Sequence, residues 1–99
     1  MIAIVLAVAQ ALGIIPAPQV ASWYALGLAR PDAMTCASRD HPRGSVLFIA
    51  RGPRWVLVRC NDYGPVAESG RTIDLSRGAA RELGILSVGI GQVSILRVW

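Results

Sequence analysis

Apolar residues fall along this chain in two different ways, and the change comes near residue 19. Residues 2–15, IAIVLAVAQALGII, carry Gln10 as their one polar side chain, and no charge precedes Arg30. Pro16 and Pro18 stop a helix there. The run is shorter than the roughly 20 residues that span a bilayer as a helix. It suits the apolar core of an export signal or a short membrane anchor, assigned to residues 1–19, with membrane contact through residues 2–15. No Lys or Arg follows Met1, and the cleavage positions after Gly13, Ala21 or Ser22 are weak ones. The alternative is an apolar helix packed on the folded domain.

From Gln19 onward the apolar runs are short and strand-like. Gln19 to Ala25 forms a first strand ending at Trp23 and Tyr24. SVLFIA (45–50) and WVLVRC (55–60), joined by RGPR, form a hairpin. Alternation in the second run puts Val56 and Val58 on the face opposite Leu57 and Arg59. RTIDL (71–75) is a short strand, and GIGQVSILRVW (89–99) is the last, with Val93, Ile95 and Leu96 in the core. One helix, Arg77 to Leu83, starts at the N-cap Ser76 and stops at Gly84. Ala79, Ala80 and Leu83 give it a small apolar face. Strands this apolar on both faces suit a closed barrel. The fold class is mainly β, with one short helix, in residues 20–99.

The chain has 99 residues, enough for one domain. About eighty residues make a small core that a crosslink would help. The net charge of +4 rests on arginine, with no lysine, beside abundant Ala and Gly. That set reflects overall composition, and no nucleic-acid partner is expected. There is no repeat, P-loop or Ser-His-Asp arrangement. Cys36 and Cys60 are the only cysteines. An even count in a small exported domain favours a disulfide, contributing roughly 3 kcal/mol; the alternative is two buried thiols. A zinc site from Cys36, His41, Cys60 and Asp62 fits no common spacing, so no metal is expected.

Two aspartates stand out in VLVRCNDYGPVAESGRTIDLS (56–76). Asp62 follows a strand and precedes the Gly64-Pro65 turn, and Asp74 lies between Ile73 and Leu75. A carboxyl at a strand end facing a groove suits acid/base chemistry. Asp62 could instead fix its turn through backbone N–H groups, and Asp74 could serve the helix start. Of Trp23 and Tyr24, one belongs to the core and the other could stack on a sugar. His41 is a loop residue or a site imidazole.

RCNDYGP followed by GRTIDLSRGAARELGI resembles the RlpA-like double-psi β-barrel family, whose usual form is VRVNDRGP…GRIIDLSxxAAxxLG. ASWY (21–24) resembles its opening strand, and TCAS (35–38) through GSVL (44–47) resembles its TAAHxxxPxGTxL segment. The match runs from about Val20 to Trp99 in the family's order. The family includes septal-ring lytic transglycosylases and is similar in fold to the catalytic domains of expansins. The resemblance implies a six-stranded double-psi barrel acting as a monomer on peptidoglycan glycan strands. It implies export to the periplasm, cell envelope or extracellular space, without a cofactor. Asp74 would be the acid/base, with Asp62 in support, and Tyr24, Tyr63, Trp23 and His41 would contact the sugar. The basic surface would suit a polymer bearing peptide carboxylates.

The chain departs from that family twice. ALGLARPDAMT (25–35) replaces a loop with a TASGE-like motif and its glutamate; Asp32, a turn residue after Pro31, is the only acid there. Ser38 occupies the family's histidine position. Both losses favour an alternative, a non-catalytic glycan-binding barrel that acts as an expansin does.

Overall fold

The computed structural model describes residues 1–14, 17–24 and 33–99. Asp32 lies outside the described residues. The elements are α1 (Ile2–Ala11), β1 (Gln19–Tyr24), β2 (Thr35–Ser38), β3 (Val46–Arg51), β4 (Arg54–Asp62), a 3-10 turn (Ala67–Ser69), β5 (Ile73–Ser76), α2 (Arg77–Glu82) and β6 (Ile90–Arg97).

The strands close into one barrel in the order β1-β5-β2-β4-β3-β6, with β6 returning to β1. β1 pairs with β5, and β2 with β4, in parallel; the other pairings are antiparallel. Closure removes the exposed sheet edges that so apolar a set of strands would otherwise present.

Strict alternation fills the interior. In β4, Val56, Val58 and Cys60 are buried while Trp55, Leu57 and Arg59 face out. Leu47 and Ile49 from β3, Ile73 and Leu75 from β5, and Val93 from β6 complete the core. Leu83, Ile85, Ala79 and Ala80 join the same cluster from α2 and its exit. The two alanines let the helix backbone sit close. Gly84, at φ 73°, ends it in the left-handed conformation that glycine adopts without strain. Leu96 differs from the expectation: it is 39% exposed. Val93 and Ile95 take the inward positions, and the two-residue period turns Leu96 out.

The register of β2 on β4 contains one irregularity. Cys36 pairs with Cys60, but Ala37 pairs with Asp62, so Asn61 is an extra residue on β4. Such a bulge bends the strand and re-aims the side chain after it. Here that side chain belongs to Asp62.

α1 lies on the outer face of β3 and β6. Leu6 is buried with Ala50, beside Ala9 and Phe48, and the Gln10 amide donates to Ser94 Oγ at 3.0 Å. Ile4, Val5, Val8, Leu12 and Ile14 stay exposed. No helix among the described residues is long and apolar enough to cross a membrane.

Ser76 is the hub between β5 and α2. Its fully buried hydroxyl donates to the Ala33 carbonyl at 2.7 Å and accepts from Thr35 N at 3.1 Å and Ala79 N at 3.4 Å. It thus caps α2 and pins the start of β2 at once. Ser76→Ala leaves those groups unpartnered and should destabilise the fold by about 3 kcal/mol, read as a lower denaturant midpoint at unchanged slope.

Candidate functional site

Because Ile73 and Leu75 point into the barrel, Asp74 between them must point out. The strand register extends that position into a row. Asp74 pairs with Ser22 on one side and with Ala37 on the other, and Ala37 pairs with Asp62. Ser22, Asp74, Ala37 and Asp62 thus lie side by side across β1, β5, β2 and β4. Adjacent strands are about 4.8 Å apart, so the two aspartate backbones are about 10 Å apart. Ala37, with one methyl group, makes the lowest point between them. A Cβ built on Gly64 would sit 3.9 Å from the Ala37 methyl, so the Asp62 loop returns over this point.

The two carboxylates have different surroundings. The Asp74 side chain is 20% exposed and that of Asp62 is 67% exposed. The Ser22 hydroxyl donates a hydrogen bond to Asp74 Oδ1. Arg71 Nη1 donates to Ser22 Oγ at 2.9 Å and stands 3.8 Å from Asp74 Oδ1. Ser22 is buried, so this triangle fixes the carboxylate from two directions. Asp62 Oδ1 accepts from the backbone N–H of Tyr63 at 2.8 Å and lies 3.9 Å from Arg43 Nη2. That exposed ion pair is worth less than about 1 kcal/mol. Asp62 thus binds the first N–H of its own turn, and its side chain is largely exposed.

The other site residues divide between the row and its surroundings. Tyr24 is two residues along β1 from Ser22 and so shares the Asp74 face, half-buried. Trp23 faces the other way, pairs with Leu75 and packs against the core cluster. Tyr63 is 61% exposed at the Asp62 end, with the Arg43 guanidinium 4.5 Å from its ring centroid. Ser38, at the position where a histidine was expected, is buried, and its hydroxyl accepts from Asp40 N at 3.2 Å.

His41 is half-buried and does not line the row. A cavity of about 390 Å³, beside the row rather than on it, is lined by Arg43, Gly44, Ser45, Arg97 and Trp99. Burial lowers the pKa of His41 below its ordinary value, Asp40 opposes this, and Arg97 adds to the lowering. Cys36 and Cys60 sit inside the barrel as free thiols with Sγ atoms 3.2 Å apart. Burial, reinforced by the hydrogen bond to Cys60, pushes the Cys36 thiol far above its usual range. Among the described residues no three His, Cys, Asp or Glu side chains gather to hold a metal.

Ser22, Arg71 and Ala37 were not singled out in the sequence. Arg71 was the most accessible of them, three residues before Asp74. Ser22 and Ala37 depend on cross-strand register, which the sequence does not display.

Comparison with known proteins agrees with this geometry. Residues 19–95 match the sequence model of the lytic transglycolase family. A probable endolytic peptidoglycan transglycosylase RlpA from Nostoc sp. is 48% identical over 67 residues, covering 66% of this chain and 18% of that protein. The endolytic peptidoglycan transglycosylase RlpA of Haemophilus influenzae is 57% identical over 63 residues, covering 62% of this chain and 22% of that protein. The chain thus spans about a fifth of the length of these relatives. In structure it is similar to an expansin of Clavibacter michiganensis, with TM-score 0.66, 25% identity, and coverage of 83% of this chain and 50% of that one. A Streptomyces papain inhibitor shares the fold alone, with TM-score 0.61, 18% identity, and coverage of 84% and 97%.

The His41 surroundings give a stability signature. The unfolded chain protonates His41 at its ordinary value of 6.5, while the folded chain resists protonation until a lower pH. Stability from this group is therefore present above 6.5 and is lost as pH falls from there toward the folded pKa. Denaturant midpoints measured on either side of pH 6.5 should show that fall, and His41→Gln should reduce it.

Proposed function

This chain belongs to the lytic transglycolase family of RlpA-like double-psi β-barrels, and from that premise we propose that it cleaves peptidoglycan glycan strands by transglycosylation. The observation that carries the reading is the setting of Asp74, turned outward from β5 and held by Ser22 and Arg71. In its protonated form, with Oδ1 still accepting from Ser22, its carboxyl gives the Oδ2 proton to the glycosidic oxygen between N-acetylmuramic acid and N-acetylglucosamine as the C1–O bond breaks. The resulting carboxylate takes the proton of the muramic C6 hydroxyl, whose oxygen bonds to C1. The products are a 1,6-anhydro end and a new free hydroxyl, no water is consumed, and Asp74 ends protonated. One carboxyl suffices for this cycle.

Asp62 is about 10 Å further along the row. In this reading it contacts a sugar beyond the scissile bond and shapes the loop. Tyr24, on the Asp74 face, and Tyr63, beside Asp62, flank the strand; Trp23 supports the groove from the core. The apolar segment 1–19 serves export or short anchoring to the cell envelope. In an oxidising compartment Cys36 and Cys60 would close to a disulfide between neighbouring strands.

A second reading keeps the glycan and drops the chemistry. It is favoured by Ser38, whose buried hydroxyl binds the local turn where an imidazole would be expected, and by the structural likeness to an expansin. The barrel would then dock on wall polymers without cleaving them.

The test is a digest of sacculi by the full chain, with products read by mass spectrometry. 1,6-Anhydro muropeptides should form, fall by about a hundredfold or more with Asp74→Asn, and fall less with Asp62→Asn. Sacculus pelleting without any covalent product would establish the binding reading instead. Separately, thiol titration of unfolded protein taken from an oxidising compartment should find no reactive thiol. Two thiols there would remove the bridge. Closure should raise stability by roughly 3 kcal/mol, and it should be slow without a catalyst because so little Cys36 is thiolate.

A further inference from the structure

Resting on the transglycosylation reading above, we infer that Arg71 is a positioning residue that acts through Ser22 and decides which oxygen of Asp74 carries the transferable proton. Arg71 Nη1 stands 3.8 Å from Asp74 Oδ1, beyond hydrogen-bond length, but only 2.9 Å from Ser22 Oγ. The guanidinium therefore reaches the carboxylate by way of the serine hydroxyl.

The direction of that hydroxyl follows from the donors around it. A guanidinium has donors only, and a hydroxyl has one hydrogen. Arg71 takes up a lone pair of Ser22 Oγ, so the hydroxyl hydrogen must point elsewhere, and it points to Asp74 Oδ1. Ser22 is 3% exposed, so solvent offers that hydrogen no alternative. A proton placed on Oδ1 would confront it and leave a buried hydroxyl hydrogen without an acceptor. That loss disfavours the Oδ1 acid by about tenfold or more. Among the described residues, every polar contact to the carboxylate falls on Oδ1. Oδ2 is left to give its proton to the glycosidic oxygen and to take one back from the C6 hydroxyl. Arg71 itself gains and loses no proton.

Arg71 is in turn held on both sides of its backbone. Its N–H donates to Ser69 Oγ at 3.1 Å, and its carbonyl accepts from Arg39 Nη2 at 2.7 Å. Thr72 N donates to the Val20 carbonyl at 3.0 Å, which ties the next residue to the strand that carries Ser22. The guanidinium thus reaches Ser22 from a fixed base.

The experiment measures turnover of soluble glycan strands by the full chain and by Arg71→Gln, Arg71→Lys, Ser22→Ala and the double variant Ser22→Ala/Arg71→Gln. A glutamine amide both donates and accepts, so it lets the hydroxyl turn away from Asp74. A lysine ammonium, like a guanidinium, only donates. Arg71→Gln and Ser22→Ala should each lower kcat about tenfold, with KM changed less than about twofold. Arg71→Lys should recover most of that loss. Once Ser22 is alanine, Arg71→Gln should cost less than about twofold more, because its route to Asp74 is gone. The second readout needs no substrate: exchange of the Ser22 hydroxyl proton, followed by NMR. It should be protected in the wild type and in Arg71→Lys, and at least about tenfold faster in Arg71→Gln. Additive losses in the double variant, a loss confined to KM, no recovery with lysine, or a hydroxyl unprotected in the wild type or indifferent to Arg71→Gln overturns the role of Arg71. Glycan cleaved as fast by Arg71→Gln as by the wild type sinks that role alone. A wild type that cleaves nothing, yet keeps a protected hydroxyl dependent on Arg71, leaves the proton order at Asp74 standing and sinks the proposed function alone.

Discussion

The complete burial of Ile73 and Leu75 is the constraint on which the functional face depends. β5 is the only strand flanked by β1 and β2, and its two apolar side chains leave no freedom in its rotation. A one-residue slip would drive Asp74 into the core and bring both apolar residues out, at a cost of several kcal/mol. Hydrophobic packing thus sets the direction of a carboxylate more firmly than any hydrogen bond made to it. Ser22 and Arg71 then refine its position within the space that packing allows.

Along that face the charge is arranged in two centres. At Asp74 a carboxylate is held between a hydroxyl and a guanidinium, partly shielded from water. At the far end the guanidinium groups of Arg43 and Arg97 meet around Ser45 and Trp99. Asp62 and Tyr63 lie between, exposed and attached to a loop that the Asn61 bulge turns aside. Each aspartate of the row has an arginine beside it, Arg71 at Asp74 and Arg43 at Asp62.

Much of this could be read from the chain. The alternation in 55–60 led to the correct faces because two-sided packing in a closed barrel enforces a strict period of two. Ser76 and Gly84 gave both ends of α2 because caps are local chemistry. The motif around Asp62 and Asp74 led to the family, and that family is confirmed by a match over residues 19–95. What stayed hidden was whatever depends on which strand neighbours which. The Ser22, Asp74, Ala37, Asp62 row and the meeting of residues 43–45 with 97–99 join residues far apart in sequence. Leu96 was placed inward by its company in an apolar run, where phase alone decides. His41, read either as a loop residue or as a site imidazole, is influenced by the charges of Asp40 and Arg97.

The position of α1 also fixes an orientation. In a ring of six strands, β3 and β6 lie across from β5 and β2. The helix rests on the first pair and the Asp74 row crosses the second. An interface that took up the exposed apolar side of α1 would stand behind the barrel, with the row turned outward. The apolar helix side and the aspartate row therefore face in opposite directions.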